Sequence, residues 1–361
     1  MRSVLLPKAK VVRLSGASAV VYPRALWVGG SALLLLLLAV LAHLMFAGRH
    51  LGLDEVLMGL MDPPGTPSRL ILQVQEFRLP RTVAGALAGA CLAVSGALTQ
   101  NIARNPLATP EILGVTAGAS LGAVAVLVLA GGGAGGLSGA AAAVGLPLAA
   151  GAGALLFGGG VFLLAMRRGQ DVLDSNRMVL VGLGATALAT SLVTWMLTLG
   201  DVTNASQALT WMTGSLNGRD WAAVGPVVLV ALPLLLVSAA AGRWLLLGAF
   251  DDNTARGLGL PLRQSRPALL LLAVLLAAAG TVMAGPVAFV AMVCPLAARW
   301  LCGTVVPPMA ATALLGAAFV VLADLVAGFL LPHALPVGVL TTVLGAPVLI
   351  ALVLRSQRRT S

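Results

Sequence analysis

Charged residues are scarce in this sequence: they make up 9% of its 361 residues, whereas 59% of the residues are hydrophobic. A soluble domain of this length carries far more charge, because its surface must face water. No long stretch has the composition of a soluble domain, which also excludes a soluble unit behind a single membrane anchor. The composition therefore predicts a polytopic membrane protein of the all-α class.

Lysine is almost absent and occurs only at Lys8 and Lys10. The phosphate-binding loop of an ATPase needs a lysine after its glycines. The glycine-rich stretch 131–139 is therefore predicted to be a turn between helices and not a nucleotide site. No cofactor is expected on this chain, and ATP and magnesium, if transport uses them, belong to a partner ATPase.

Cysteine is also rare, with three residues in the whole chain, Cys91, Cys294 and Cys302. Their odd number and their position in or beside apolar segments argue against a set of disulfides. Their spacing does not match that of a metal-binding motif. The sequence predicts that these cysteines are small buried hydrophobic residues.

The net charge of +10 could suggest a nucleic-acid partner, but the positions of the basic residues favour another explanation. If the chain crosses the membrane ten times with its amino end inside, 17 of the 22 basic residues lie on the cytoplasmic side. This asymmetry is the one that sets the orientation of membrane proteins. Residues 1–25 then form a basic, irregular cytoplasmic segment, and no nucleic acid is expected.

Apolar runs define the spans of a single permease domain, residues 1–361. Each run is long enough, at about 1.5 Å per residue in a helix, to cross or nearly cross a bilayer of about 30 Å. The predicted helices cover residues 26–47, 82–100, 112–130, 140–166, 178–199, 222–241, a shared run 267–302 that turns near Gly285, 308–329 and 337–354. The sequence thus predicts about ten transmembrane helices.

The second and third spans meet at a polar elbow that begins with Asn105 and Pro106 and ends near Gly114. Two arginines, Arg78 and Arg81, stand on the outer side just before the second span. Small residues along this span, among them Gly89 and Gly96, predict a face on which another helix packs closely.

This stretch resembles the permeases of the FecCD/BtuC type, which import iron–siderophore complexes, haem and cobalamin through ABC transporters, and the resemblance extends over nearly the whole chain. The matching residues are Arg78-Leu-Pro-Arg81, Ser95-Gly96 with Gln100, Asn105-Pro106-Leu-Ala, Pro110, Leu113-Gly114, Gly285-Pro286, Cys294-Pro295 with Arg299, Ala323-Asp324, and Pro336-Val-Gly338. The chain departs from the family pattern at Leu296, where a histidine is usual, and at Gly328, where an arginine is usual.

The resemblance implies a type II ABC importer permease in a bacterial cytoplasmic membrane, which catalyses no reaction itself. Two permease subunits, identical or related, would enclose a path lined by the fifth, eighth and tenth spans. Two ATPase subunits would bind inside, and a soluble binding protein would deliver a ferric siderophore outside. The implied inner gate consists of four residues after the fourth span, Asp171, Asp174, Ser175 and Asn176.

The cytoplasmic loop 243–266 contains a pattern for a short amphipathic helix. Asp251 or Asp252 can cap its start, and Gly259 can stop it. Ala255 and Leu258 share one side of this helix. These features alone allow either a solvated loop or a docking helix. The family resemblance implies a coupling helix that contacts the ATPase through six residues, Asp251, Asp252, Ala255, Arg256, Leu258 and Gly259.

The arginines before the second span have two interpretations. Arginine commonly extends from a helix end into the membrane interface. The family resemblance instead implies that Arg78 and Arg81 meet acidic residues of the binding protein, an arrangement that sets orientation and encounter rate.

Asp324 is the only acidic residue deep within a predicted span, and such a carboxylate is a candidate for a proton relay. No partner for it is evident in the sequence, so a structural hydrogen-bonding role is favoured, and an amide at this position should keep substantial transport. The alternative function is a proton- or sodium-coupled secondary transporter that uses Asp324 with Glu111 and Arg104. A third possibility is a structural or assembly membrane protein that needs neither ATP nor a soluble partner.

Overall fold

The computed structural model describes residues 10–14, 17–21, 23–48, 50–61, 69–129, 140–166, 175–331 and 333–357. In these ranges the protein is helical apart from one short hairpin. The elements are β1 (Lys10–Leu14), β2 (Ala17–Val21), α1 (Pro23–Phe46), α2 (Leu53–Met61), α3 (Arg69–Ile71), a π-helical turn (Leu72–Arg78), α4 (Leu79–Ala103), a 3₁₀ turn (Pro110–Leu113), α5 (Val115–Leu129), α6 (Ala140–Ala165), α7 (Ser175–Leu199), α8 (Val202–Met212), α9 (Trp221–Ala240), α10 (Gly242–Gly248), α11 (Asp252–Gly257), α12 (Leu262–Ala284), α13 (Val290–Cys302), α14 (Met309–Leu325), a second π-helical turn (Val326–Leu330) and α15 (Val337–Gln357).

Two helices form the centre of the bundle, α4 and α12, and most of their residues are buried. They pack on each other, and a hydrogen bond of 2.6 Å from Ser95 Oγ to the carbonyl of Ala273 joins them. By contrast, α1, α7 and α9 expose most of their apolar side chains. This arrangement is that of a helical bundle whose outer helices face lipid, because their apolar exposed surfaces would be unfavourable in water.

The predicted close-packing face of α4 is present. A Cβ atom at Gly89 would overlap the backbone of Gly316 in α14, and one at Gly96 would overlap the backbone of Ala291 in α13. Glycine is therefore needed at both positions because two helix backbones approach each other there. The predicted burial of Cys91, Cys294 and Cys302 is also confirmed.

The described residues contain seven helices that are long and apolar enough to cross a membrane, and the protein is a multi-pass membrane protein. Three further apolar helices are shorter: Val115–Leu129, Val290–Cys302 and Val337–Ala351. Each coincides with a predicted span. Seven spans are thus supported by length and composition, and the predicted number of ten is not established.

Two predictions about the connecting segments were wrong, and a third segment contains helices that were not predicted. The amino-terminal segment is not irregular throughout, since β1 and β2 pair antiparallel, with Lys10 opposite Val21 and Leu14 opposite Ala17. The predicted outer loop 200–221 contains a helix, α8, which buries Asn204, Ala208 and Trp211 against the bundle. The segment 48–81, predicted to be an external segment between the first two spans, contains α2 and the helical lead into α4 in its described part.

Candidate functional site

A buried charge cluster joins the ends of three helices. The Asp324 carboxylate in α14 accepts hydrogen bonds from Arg81 Nε at 2.7 Å and Arg81 Nη2 at 2.8 Å, both from the start of α4. His43 Nε2, near the end of α1, lies 2.9 Å from the same carboxylate. His43 Nδ1 is 2.8 Å from the Thr82 hydroxyl. The cluster fastens α1, α4 and α14 to one another.

Phe329 covers this cluster. Its ring centroid lies 4.7 Å from the Arg81 guanidinium carbon, which places the cation over the aromatic face, and its edge meets the His43 ring at 5.9 Å between centroids. Such cation–π contacts stabilise a guanidinium that has lost much of its water. The side chain of Arg81 is 17% exposed and that of Asp324 only 3%.

The sequence-based view that Asp324 has no partner was therefore wrong. Its partners lie 281 and 243 positions away along the chain. One signal in the sequence could have indicated these partners. His43 and Arg81 both lie within a few residues of the predicted outer end of their spans, and hence at a similar depth in the membrane. The structural role of Asp324 is an ion pair with Arg81, and such a charge-assisted interaction is stronger than a hydrogen bond between neutral groups.

Arg78, the other predicted docking arginine, is buried. Its guanidinium donates from Nη1 to the carbonyls of Leu44 at 2.5 Å and Met45 at 3.2 Å, at the end of α1. Both arginines thus hold helix ends together. Their predicted contact with a binding protein stays a prediction, and Arg81 could make it only in competition with Asp324.

A cavity of about 580 Å³ lies where α5, α7, α8, the segment before α13 and α15 meet. The predicted path helices contribute Thr186, Pro286 and Thr342 to its wall. Four threonines supply hydroxyl groups to a lining whose other residues, apart from Glu111, are apolar. A concave space of this kind suits a small-molecule ligand or its passage.

Glu111 brings the ionisable group to this lining from the 3₁₀ turn between α4 and α5. Burial raises the pKa of its carboxyl above the ordinary glutamate value. The elbow between the second and third spans therefore reaches the cavity wall.

The short helix predicted within the loop 243–266 is confirmed as α11. The Asp251 carboxylate accepts hydrogen bonds from the backbone amides of Asn253 and Thr254, which makes it the N-cap. At the other end Gly259 adopts a left-handed conformation with φ of 83°. The Gly259 amide donates to the Arg256 carbonyl and the Leu260 amide to the Ala255 carbonyl, the pattern of a glycine-terminated helix.

The predicted contact surface of α11 needs one correction. Ala255 is fully buried within this chain, packed with Leu260, Leu262 and Leu247. It cannot be a contact to an ATPase, and an arginine there would disturb the fold of the loop itself. Leu258, half-exposed at 50%, is the apolar side chain that α11 offers outward.

The loop is tied to the elbow through Asp252. Arg104, at the end of α4, donates to the Asp252 carboxylate at 2.6 Å and to the Phe250 carbonyl at 2.5 Å. Arg266, near the start of α12, donates to the same carboxylate oxygen at 2.5 Å. Burial alone would raise the pKa of Asp252, but the hydrogen bonds from Arg266 and Arg104 hold it below the ordinary value.

These features match those of a known transport family. The sequence fits the FecCD transport family over residues 34–355. The chain belongs to this family. Among its relatives, the ferric enterobactin transport system permease protein FepG of Escherichia coli is 36% identical over 294 residues, which cover 81% of this chain and 86% of that protein. The achromobactin transport system permease protein CbrC of Dickeya dadantii is 38% identical over 331 residues, 90% of each chain.

A FecCD-family chain is the permease subunit of an ABC importer and not an enzyme. A solved structure of a metal-chelate type ABC transporter in an inward-facing conformation supports the fold, with a TM-score of 0.74 and 24% identity over 91% of this chain and 99% of that one.

Several predicted motif residues have clear structural tasks. The Asn105 side chain accepts from the Leu107 amide at 2.9 Å and so shapes the elbow, together with Pro106. Gly114 ends the 3₁₀ turn with φ of 70°. At Gly338 a Cβ would overlap the carbonyl of Thr213, so glycine lets α15 approach the end of α8.

The remaining motif residues occupy less specific positions. Pro295 lies inside α13, and Pro336 directly precedes α15. Arg299 faces a cavity of about 190 Å³, which also borders Gln100 and Asn105. Arg256 is exposed on α11.

The predicted inner gate lies at the edge of what the structure describes. Asp171 and Asp174 fall outside the described residues, and Ser175 and Asn176 form the first turn of α7 without a described side-chain environment. Their gating role stays a prediction.

The residues of the alternative ion site are each placed with different neighbours. Asp324 pairs with Arg81 and His43, Arg104 pairs with Asp252, and Glu111 lines the cavity. Within the described part of the chain these three residues do not form one site, so the geometry offers no support for the secondary-transporter hypothesis.

Proposed function

We propose that this chain and a second permease subunit, identical or related, form the membrane path of an importer for ferric siderophores in a bacterial cytoplasmic membrane. The observation that carries the proposal is the 580 Å³ cavity at the meeting point of α7, α15 and the segment before α13. The names of two relatives, which are permeases for ferric enterobactin and achromobactin, support a siderophore as substrate. The substrate crosses by alternating access, without covalent change.

Two ATPase subunits are proposed to bind at the cytoplasmic loop. Two apolar side chains are exposed there: Phe250 at 47%, directly before the N-cap Asp251, and Leu258 at 50%, which is the C-cap of α11. Burial of such side chains against a partner is favourable at about 25 cal/mol per Å². An extracytoplasmic binding protein is proposed to dock near Arg81, and the inner gate is proposed at Asp171, Asp174, Ser175 and Asn176.

Ten spans with both termini inside is the topology that we propose. It places Asn217, exposed before α9, outside and Asn253, exposed on α11, inside. A membrane-impermeant maleimide applied to intact cells should therefore label Asn217→Cys and leave Asn253→Cys unlabelled until the cells are opened. The buried native cysteines keep the background low. Labelling of Asn253→Cys in intact cells would refute this topology.

The function is tested by reconstituting the chain with its second subunit, ATPase and binding protein in proteoliposomes. ⁵⁵Fe-labelled ferric enterobactin, ferric achromobactin and radiolabelled cobalamin are supplied in turn. We expect ATP-dependent accumulation of a ferric siderophore in preference to cobalamin. Accumulation driven by a proton or sodium gradient without ATP would instead establish a secondary transporter.

The proposed docking of the ATPase at α11 is tested in the same experiment with the variant Leu258→Arg. Its side chain is half-exposed, so the fold should persist, while a charge at an apolar contact should lower ATPase association by about tenfold or more. Co-purification with the ATPase and uptake should fall together. If Leu258→Arg keeps both, α11 is an ordinary loop helix.

A further inference from the structure

Two adjacent carboxylates at the start of α11 have different tasks. Asp251 turns toward the backbone amides of its own helix and caps it. The carboxylate of Asp252, the next residue, faces the rest of the protein, and one of its oxygens accepts hydrogen bonds from both Arg104 and Arg266. Only the second carboxylate connects α11 to the membrane-spanning helices.

Arg104 occupies a special place in the backbone. It ends α4 in a left-handed conformation with φ of 48°, which is uncommon for a residue with a side chain. From there the chain runs through the elbow to the 3₁₀ turn, where Glu111 lines the cavity. A second contact connects α4 to α10 nearby, because the side-chain amide of Asn101 donates a hydrogen bond to the Leu245 carbonyl at 3.0 Å.

The Asp252 junction is partly exposed, with 25% exposure for Asp252 and 38% for Arg104. Ion pairs at such positions contribute little to stability. They do fix geometry, because charge-assisted hydrogen bonds are short and directional. Without the carboxylate, the guanidinium groups of Arg104 and Arg266 would face each other as like charges and separate.

We propose that Asp252 is a positioning residue that transmits movement of α11 to the elbow and so to the cavity wall. This proposal rests on the proposed ATPase docking at α11. A docked ATPase that displaces α11 moves Asp252, and Asp252 draws Arg104 and the adjoining elbow with it. Arg266 keeps the junction attached to the start of α12, so that the two central helices respond together.

The test uses the whole transporter in proteoliposomes and a reporter cysteine in the elbow, Leu107→Cys, whose parent side chain is 44% exposed. Its labelling rate with a maleimide is measured with and without ATP and vanadate. We expect a change of about fivefold in the otherwise unaltered chain, the size of an ordinary allosteric coupling. In Asp252→Asn and in Arg104→Gln this change should disappear, while ATPase co-purification and ATP hydrolysis persist.

Two variants serve as controls. Asp252→Glu restores the carboxylate and should restore the ATP-dependent change. Asn253→Gln changes an exposed side chain of α11 and leaves the Asp252 junction in place, so its response should stay within about twofold of the parent. The proposal is overturned if Asp252→Asn and Arg104→Gln keep the full response, or if they lose ATPase association, which would make the junction a docking element. A parent chain that binds no ATPase would refute the proposed function itself.

Discussion

Replacing Gly96 by alanine is expected to destabilise the protein more than any other single-methyl change on α4. The added Cβ would overlap the carbonyl group of Ala291, and backbone atoms cannot rotate away as a side chain can. Overpacking of this kind costs about 1–3 kcal/mol, and more when two backbones must separate. Thermal unfolding of the detergent-solubilised protein should show a clearly lower midpoint.

The matched control is Gly225→Ala in α9, where a Cβ would meet no atom within 4 Å. Alanine is the better helix former by about 1 kcal/mol, so this variant should be as stable as the parent or slightly more stable. Gly89→Ala should also lower the midpoint, but by less than Gly96→Ala, because its Cβ would overlap the carbonyl of Gly316 less deeply. Equal midpoints for Gly96→Ala and Gly225→Ala would show that close backbone packing of α4 does not limit stability.

Local signals in the sequence were sufficient to predict the long apolar helices and the two ends of α11. Long apolar runs located the long apolar helices, because hydrophobic length is a direct consequence of bilayer thickness. The start of the second span was misplaced, since its helix extends from Arg69 to Ala103 and not from residue 82 to residue 100. The N-cap at Asp251 and the glycine stop at Gly259 were predictable because capping depends on a few neighbouring residues.

Amphipathic helices outside the main spans were not predictable in the same way. In α8 a single buried stripe, Asn204, Ala208 and Trp211, alternates with exposed residues, so no long apolar run marks it. The side of α11 that faces the chain was also misjudged. Ala255 is covered by Leu260 and Leu262, which return over it only because the chain reverses at Gly259.

Contacts between distant residues were the least accessible to sequence reasoning. Arg81 was interpreted as a docking residue and Asp324 as an isolated carboxylate, and each interpretation omitted the other residue. Their pairing depends on how α4 and α14 align in depth, which is fixed by the glycine contact between Gly89 and Gly316. The helix packing that the glycine substitutions would disturb is therefore also the packing that brings Arg81 to Asp324.

Asp324→Asn is expected to destabilise the protein strongly, which reverses the expectation from sequence that an amide would serve. The amide lacks the charge that balances Arg81, and its NH₂ group would face the donors of Arg81 or His43, which lie within 2.9 Å of the carboxylate. Leaving a buried charge unpaired costs about 3–5 kcal/mol. Because the Arg81 side chain is 17% exposed to solvent, we expect a loss of stability at the lower end of this range. The measurement is the thermal unfolding midpoint, which should fall.

A double-variant cycle separates this structural role from a proton relay. Arg81→Gln alone should leave the Asp324 carboxylate without its main partner and should also destabilise the protein. Arg81→Gln combined with Asp324→Asn removes both charges and allows an amide–amide hydrogen bond, so the double variant should be more stable than either single variant. Should Asp324→Asn instead keep the parent's thermal midpoint while uptake is lost and its pH optimum shifts, Asp324 would be a proton carrier and the ion pair would be incidental.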